Sequence, residues 1–239
     1  MIKAKKSLSQ NFLIDKNICK KIINLTEIEN SDILEIGPGY GFLTDIILSK
    51  KPNKIILIEK DIYLRKFLKN NYKKNKKVFI EGNNILEYDL KKLKNLIIIS
   101  NLPYNISTKV ILYLFSFNQN ITEMILMIQK EVAQKFDYNL KNMNKYKFLT
   151  KIVSDFTICF DVSKNVFFPK PKVKSSVVKF NFKKQQVDLQ KADLFSKLIF
   201  KNVRKKINNN IKINKNHQLL EKRVNQLTIN ELLQIYYFF

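Results

Sequence analysis

Histidine occurs once in these 239 residues, cysteine twice, glycine four times, and arginine only as Arg65, Arg204 and Arg223. Each scarcity excludes something. His217 has no Cys or His close to it in sequence and reads as a surface residue rather than a base or a ligand. Cys19 and Cys159 lack metal-ligand spacing and cannot build a disulfide framework, so no metal is expected. No apolar run approaches the ~20 residues that span a bilayer. Met1–Ser9 carries charge with no hydrophobic core behind it, so no secretory signal is expected and cytoplasm is the default location. Acids are short as well: 20 Asp and Glu face 44 Lys and Arg, a net charge of +24. That imbalance predicts a polyanionic partner, nucleic acid before membrane. With so little arginine, lysine carries the charge and steers diffusely instead of clasping phosphates bidentately. Heavy use of Lys, Asn, Ile and Phe also fits an AT-rich coding bias, which leaves part of the lysine excess open to a compositional explanation.

Against this thin background two clusters stand out. The apolar run Leu96–Ile99 reads as a buried strand, and Asn101-Leu102-Pro103-Tyr104 follows it. Ligands of open α/β sheets bind at such strand ends. Asn101 offers an acceptor oxygen and two donors. Pro103 fixes its own φ and pushes Leu102 toward an extended conformation, so the backbone carbonyls of the turn have set directions. Tyr104 adds a flat face. Acceptors for an amine beside a stacking surface suit a flipped-out nucleobase. The same tetrapeptide also fits a plain strand-to-helix turn with an Asn cap.

The second cluster holds three of the four glycines. Gly37, Gly39 and Gly41 lie in Glu35-Ile36-Gly37-Pro38-Gly39-Tyr40-Gly41, between the apolar Ile33–Ile36 and the helical-looking Phe42–Lys50. Glycine lets a backbone approach a ligand closely. The spacing resembles the first loop of a Rossmann-like nucleotide site without being G-x-G-x-x-G. The next apolar run, Lys54–Ile58, ends at Glu59, where an acid would bind ribose hydroxyls. A solvated Glu59 opening the next helix is the plainer alternative.

Strand-like runs (Ile33–Ile36, Lys54–Ile58, Val78–Glu81, Leu96–Ser100, Met124–Ile128, Val153–Ile158, Val177–Phe182) alternate with helical stretches such as Lys16–Leu25, Ile62–Tyr72 and Lys130–Tyr138. Such alternation predicts a mostly parallel sheet covered on both faces. The last strands, from Thr150 to Asp161 and from Lys172 to Phe182, are expected as an antiparallel pair at the edge. Lys183–Gln186 reads as a linker. Beyond it, Ala192–Val203 and Asn230–Tyr237 are helical and no further strand follows. The expected division is residues 1–183 and a small all-helical domain of residues 184–239.

E-I-G-P-G-x-G together with N-L-P-Y resembles an S-adenosylmethionine-dependent methyltransferase of adenine amines. More narrowly, the chain resembles the KsgA family of ribosomal small-subunit RNA adenine dimethyltransferases. Further matching segments are Ser9–Leu13, Gly82–Leu86, Asn105–Thr108, Gln129–Ala133 and Phe168–Val173 with Ser175. The resemblance implies a Rossmann-like, seven-stranded α/β methyltransferase domain followed by a helical C-terminal domain that contacts rRNA. It implies S-adenosylmethionine as cofactor, held by Asn11, Leu13, Gly37, Glu59, Asn84 and Asn101. Catalysis falls to Asn101, Leu102, Pro103 and Tyr104, and the RNA to Lys170, Lys172, Arg204, Lys205 and Lys206. The implied substrate is a pair of adjacent adenines in a hairpin near the 3′ end of 16S rRNA, methylated by a monomer on a pre-30S-type particle during ribosome biogenesis. Departures exist. Asn84 stands where the family usually has Asp, Leu8-Ser9 replaces an aromatic–Gly pair, and Val203 replaces a usual cation. Two other readings share the fold. One is a large-subunit rRNA methyltransferase of the macrolide-resistance type; Gly37-Pro38-Gly39, Leu102 and Gln129–Ala133 argue against it. The other is a non-catalytic nucleic-acid-binding assembly or transcription factor, against which the intact N-L-P-Y argues.

Overall fold

The computed structural model describes residue 5 and residues 10–185, 187–213 and 217–239. The expected motif residues Leu8 and Ser9 lie outside these. The chain runs β1 (Phe12–Leu13), α1 (Lys16–Ile23), β2 (Asp32–Ile36), α2 (Phe42–Ser49), β3 (Lys54–Ile58), α3 (Ile62–Tyr72), β4 (Val78–Glu81), β5 (Leu96–Asn101), α4 (Ser107–Phe115), β6 (Ile121–Gln129), α5 (Lys130–Phe136), α6 (Lys145–Val153), β7 (Ser154–Val162), β8 (Phe167–Phe168), β9 (Ser175–Phe182), α7 (Leu189–Ile199) and α8 (Ile229–Phe238).

Seven strands form one sheet in the order β4-β3-β2-β5-β6-β9-β7. Pairings from β4 through β6 are parallel, and β9 runs antiparallel to β6. The central strands are apolar along their whole length because a parallel sheet is covered on both faces; Ile33, Leu34, Ile55, Leu57, Ile98 and Ile99 are almost fully buried. Helix starts follow their caps: the Asp15 carboxylate accepts from Asn17 N and Ile18 N, and Asp61 accepts from Tyr63 N. The apolar faces of α1 and α2 join this core, which includes Cys19, Ile22, Ile23, Leu43 and Ile47.

One expectation is corrected. Residues 150–153, read as strand, close helix α6, whose N-cap Asn144 accepts from Tyr146 N and Lys147 N; the strand starts only at Ser154. The last two strands are neighbours at the far edge of the sheet, as expected. The chain goes first to the edge as β7 and returns with β9 inserted between β6 and β7.

Compactness divides the chain into Met1–Ala133 with Thr157–Phe182, and Gln134–Phe156 with Lys183–Phe239. A single cut at 183/184 therefore differs from this division for Lys183 and for residues 134–156, where α6 packs with α7 and α8. In that second unit the Phe148, Phe195 and Tyr236 rings pack edge-on or tilted, with centroids 5.0–5.4 Å apart. No helix among the described residues is long and apolar enough to cross a membrane.

Candidate active site

The parallel strands all point their C-terminal ends the same way, and a cavity of about 300 Å³ opens there. One side is the glycine turn after β2. Gly37 has φ +65°, and its N–H donates to the Ile58 carbonyl at 2.9 Å. A Cβ there would meet no atom closer than Pro103 Cδ at 3.9 Å, so it would project into the space between the two motifs. Gly39 has a different reason to be glycine: at φ +61° a Cβ would lie 2.7 Å from two Phe12 ring carbons. Phe12 reaches this point because β1 pairs with β8, setting Phe12 against Phe168.

Glu59, at the end of β3, lines the cavity and is 6% exposed. One carboxylate oxygen accepts from Gly39 N at 3.2 Å and the other from Asp61 N at 2.8 Å. Burial pushes its pKa up while these two N–H groups pull it down; the net shift is upward. The acid thus ties the glycine turn to the start of α3, leaving further acceptor capacity on both oxygens. Asn84, after β4, lines the same cavity.

The opposite wall is the end of β5. Ser100 Oγ donates to the Ile36 carbonyl at 2.6 Å, locking β5 to the end of β2. Asn101 Nδ2 donates to the Asn11 carbonyl at 2.8 Å. A carbonyl can only accept, so this bond fixes the amide and turns Oδ1 the other way. Leu102 N donates to the Met127 carbonyl, and the carbonyls of Pro103 and Tyr104 accept from Ile106 N and Ser107 Oγ. Among the described residues none donates to the Leu102 carbonyl. Tyr104 is half-buried, and its hydroxyl bonds Ser175 Oγ at 2.6 Å, which holds the ring.

The structure therefore gathers Asn11, Gly37, Glu59, Asn84 and Asn101–Tyr104 around one cavity. Leu13 is not among its lining residues; it is buried in the core, and Phe12 faces the cavity instead. Sequence reasoning missed Asn105 and Ile106 as lining and Ser175 as the partner of Tyr104. The position of Ser175 behind the Phe-Pro-Lys-Pro-Lys-Val loop was visible, but its contact depends on β9. Lys170 and Lys172 are exposed in the first compact unit, and Arg204, Lys205 and Lys206 are exposed in the second. Lys206 is ion-paired to Glu221 at 2.6 Å.

A cavity that a Cβ at Gly37 would fill, with a buried acid on one wall and amide acceptors on the other, fits a nucleoside carrying an amino-acid tail. The family described as Ribosomal RNA adenine dimethylase matches residues 1–238. The Ribosomal RNA small subunit methyltransferase A of Malacoplasma penetrans is 39% identical over 234 residues, 95% of this chain and 84% of that protein. The crystal structure of a dimethyladenosine transferase from Plasmodium falciparum has a TM-score of 0.80 at 24% identity, covering 94% of this chain and 95% of that one. That of the 23S rRNA methyltransferase ErmE has a TM-score of 0.78 at 18% identity, covering 95% and 98%. At such identities these two structures speak for the fold alone.

Proposed function

Because the chain belongs to the ribosomal RNA adenine dimethylase family, we infer that its cavity is where adenines of rRNA meet their methyl donor. The protein is a small-subunit rRNA adenine dimethyltransferase that uses S-adenosylmethionine. We propose the finer assignments from the geometry.

S-adenosylmethionine supplies a methyl already activated on a sulfonium. The protein's task is then alignment and electrostatics. Gly37 admits the cofactor close to the backbone, with the Asn11 segment covering its methionine end. The Glu59 carboxylate, held by two backbone N–H groups, takes the ribose hydroxyls. Asn84 accepts from the adenine amine of the cofactor. On the other wall Asn101 Oδ1 and the Leu102 carbonyl accept the two hydrogens of the target amine. Two acceptors concentrate electron density on that nitrogen and favour tetrahedral geometry. Pro103 stiffens the turn, and Tyr104 stacks on the target base. The proton leaves to water after transfer. Asn101 also borders the methyl-donor end through Asn11.

The observation that carries this reading is the amide of Asn101, its nitrogen committed to the Asn11 carbonyl, in a cavity wall it shares with Leu102. The target is proposed to be two adjacent adenines in a hairpin near the 3′ end of 16S rRNA. The proposed setting is a pre-30S-type particle in the cytoplasm, with the enzyme acting as a monomer in ribosome biogenesis. Residues 184–239 and the lysines of the Phe168–Val173 loop are proposed to meet the phosphates. Transfer of labelled methyl to undermodified small subunits, mapped by primer extension, tests it. Label on two adjacent adenines is expected; no label there, with label on large-subunit rRNA offered in parallel, would sink the assignment.

A further inference from the structure

Asn84 is an unusual choice for reading an adenine amine, because an amide has two faces. Its oxygen accepts from an amine, yet the same side chain turned over offers donors. A carboxylate has no such ambiguity. The structure removes it differently. Asn84 Oδ1 accepts from Leu86 N at 3.3 Å, and Nδ2 donates to Glu87 Oε1 at 3.1 Å. Turned over, the amide would set its NH₂ against the Leu86 N–H and its oxygen against the Glu87 carboxylate, breaking both bonds. Asn84 and Leu86 line the cavity and Glu87 does not, so the nitrogen is committed to a carboxylate that is not part of the cavity wall.

We propose that Glu87 is a positioning residue that makes Asn84 an obligate acceptor and thereby sets the specificity of the site for a 6-amino purine over a 6-oxo purine. This rests on the reading above that the adenine of the cofactor lies against Asn84. An adenine presents an amine donor at C6 and a hypoxanthine presents a carbonyl acceptor. A pinned Oδ1 bonds the first and repels the second. Freed of Glu87, the amide turns at the cost of the Leu86 bond alone and serves either base. Glu87 needs no contact with the ligand for this.

The test is calorimetric binding of S-adenosylhomocysteine and of its hypoxanthine counterpart, S-inosylhomocysteine. The two probes carry the same charge, so removing a carboxylate nearby cancels in the ratio of their affinities. The wild-type chain is expected to prefer the adenine ligand. Glu87→Ala is expected to narrow the ratio by about fivefold or more, the worth of one charge-assisted hydrogen bond. Adding Asn84→Asp to Glu87→Ala is expected to widen it again, because a carboxylate only accepts. A role for Glu87 in local folding alone would weaken both ligands and leave the ratio in place. A ratio unchanged in Glu87→Ala, or absent in the wild type while both ligands bind, overturns the proposal. A wild-type chain that binds neither ligand overturns the cofactor site itself and this inference with it.

Discussion

At Asn101 a single side chain has two ends to account for: its nitrogen holds the Asn11 carbonyl, and its oxygen is the proposed acceptor for the target amine. Asn101→Ala removes both, and removal of such a preorganised acceptor lowers turnover by about 10²–10³. Single-turnover methylation of undermodified small subunits measures it; a wild-type rate would remove the mechanism. Tyr104 carries a sharper test. The motif assigns a role to the ring alone, yet the hydroxyl bonds Ser175 at 2.6 Å. Tyr104→Ala forfeits stacking worth roughly 1–3 kcal/mol per base. Tyr104→Phe and Ser175→Ala each remove only the tie that aims the ring, so each should slow methylation by roughly two- to tenfold. The double variant should be no slower than either single one, because the two groups form one bond. Additive effects would show that they act separately.

At the scale of elements, β2 and α2 share a buried polar link beneath the glycine turn. Thr44 Oγ1 on α2 donates to Glu35 Oε2 on β2 at 2.6 Å. Burial pushes the Glu35 carboxyl up to about 8; the Thr44 hydroxyl opposes this, and the nearby Asp45 and Glu59 add to it. The folded chain therefore holds a proton that the unfolded chain, with an ordinary glutamate pKa of roughly 4.3, has released. Stability from this group is present below that lower value and drains away as pH rises toward about 8. Glu35→Gln keeps the shape and cannot ionise. The melting temperature of the variant should gain on the wild type as pH is raised through this window, and a constant difference would contradict the assignment. Helix α6 offers a separate test. Asn144→Ala leaves Tyr146 N and Lys147 N without their cap at 2.8 and 3.0 Å. A cost of ~1 kcal/mol is expected, read as a lower urea midpoint with an unchanged m-value.

For the whole molecule, the net charge of +24 is expected to steer encounter with rRNA. Each phosphate neutralised releases counterions, so log affinity should fall linearly with log salt. Changing Arg204, Lys205 and Lys206 to Ala should make that line shallower by about 0.7–0.9 for each phosphate that is no longer neutralised. Lys206 already faces Glu221, so it should contribute least of the three. A slope equal to that of the wild type would show that the segment does not touch the backbone of the RNA. Lys170→Ala with Lys172→Ala provides the matching measurement on the first compact unit.

The sequence by itself determined the strands and most helices, because apolar runs and their period report burial directly. It also determined the two walls of the site. Gly37, Glu59 and Asn101–Tyr104 are legible since each sits at the end of a strand, and parallel strands bring their ends together. Tertiary structure decided what depends on distant segments meeting. Only the pairing of β1 with β8 puts Phe12 over Gly39, and only the insertion of β9 brings Ser175 to the Tyr104 hydroxyl. Leu13 entered through the resemblance alone, and only the fold shows that its side chain joins the core, with β1 pairing it to Phe167. Residues 150–153 looked like strand because Thr150, Ile152 and Val153 are β-branched, a local bias toward strand that tertiary packing overrides. The Asn144 cap and packing against α7 and α8 settled it as helix.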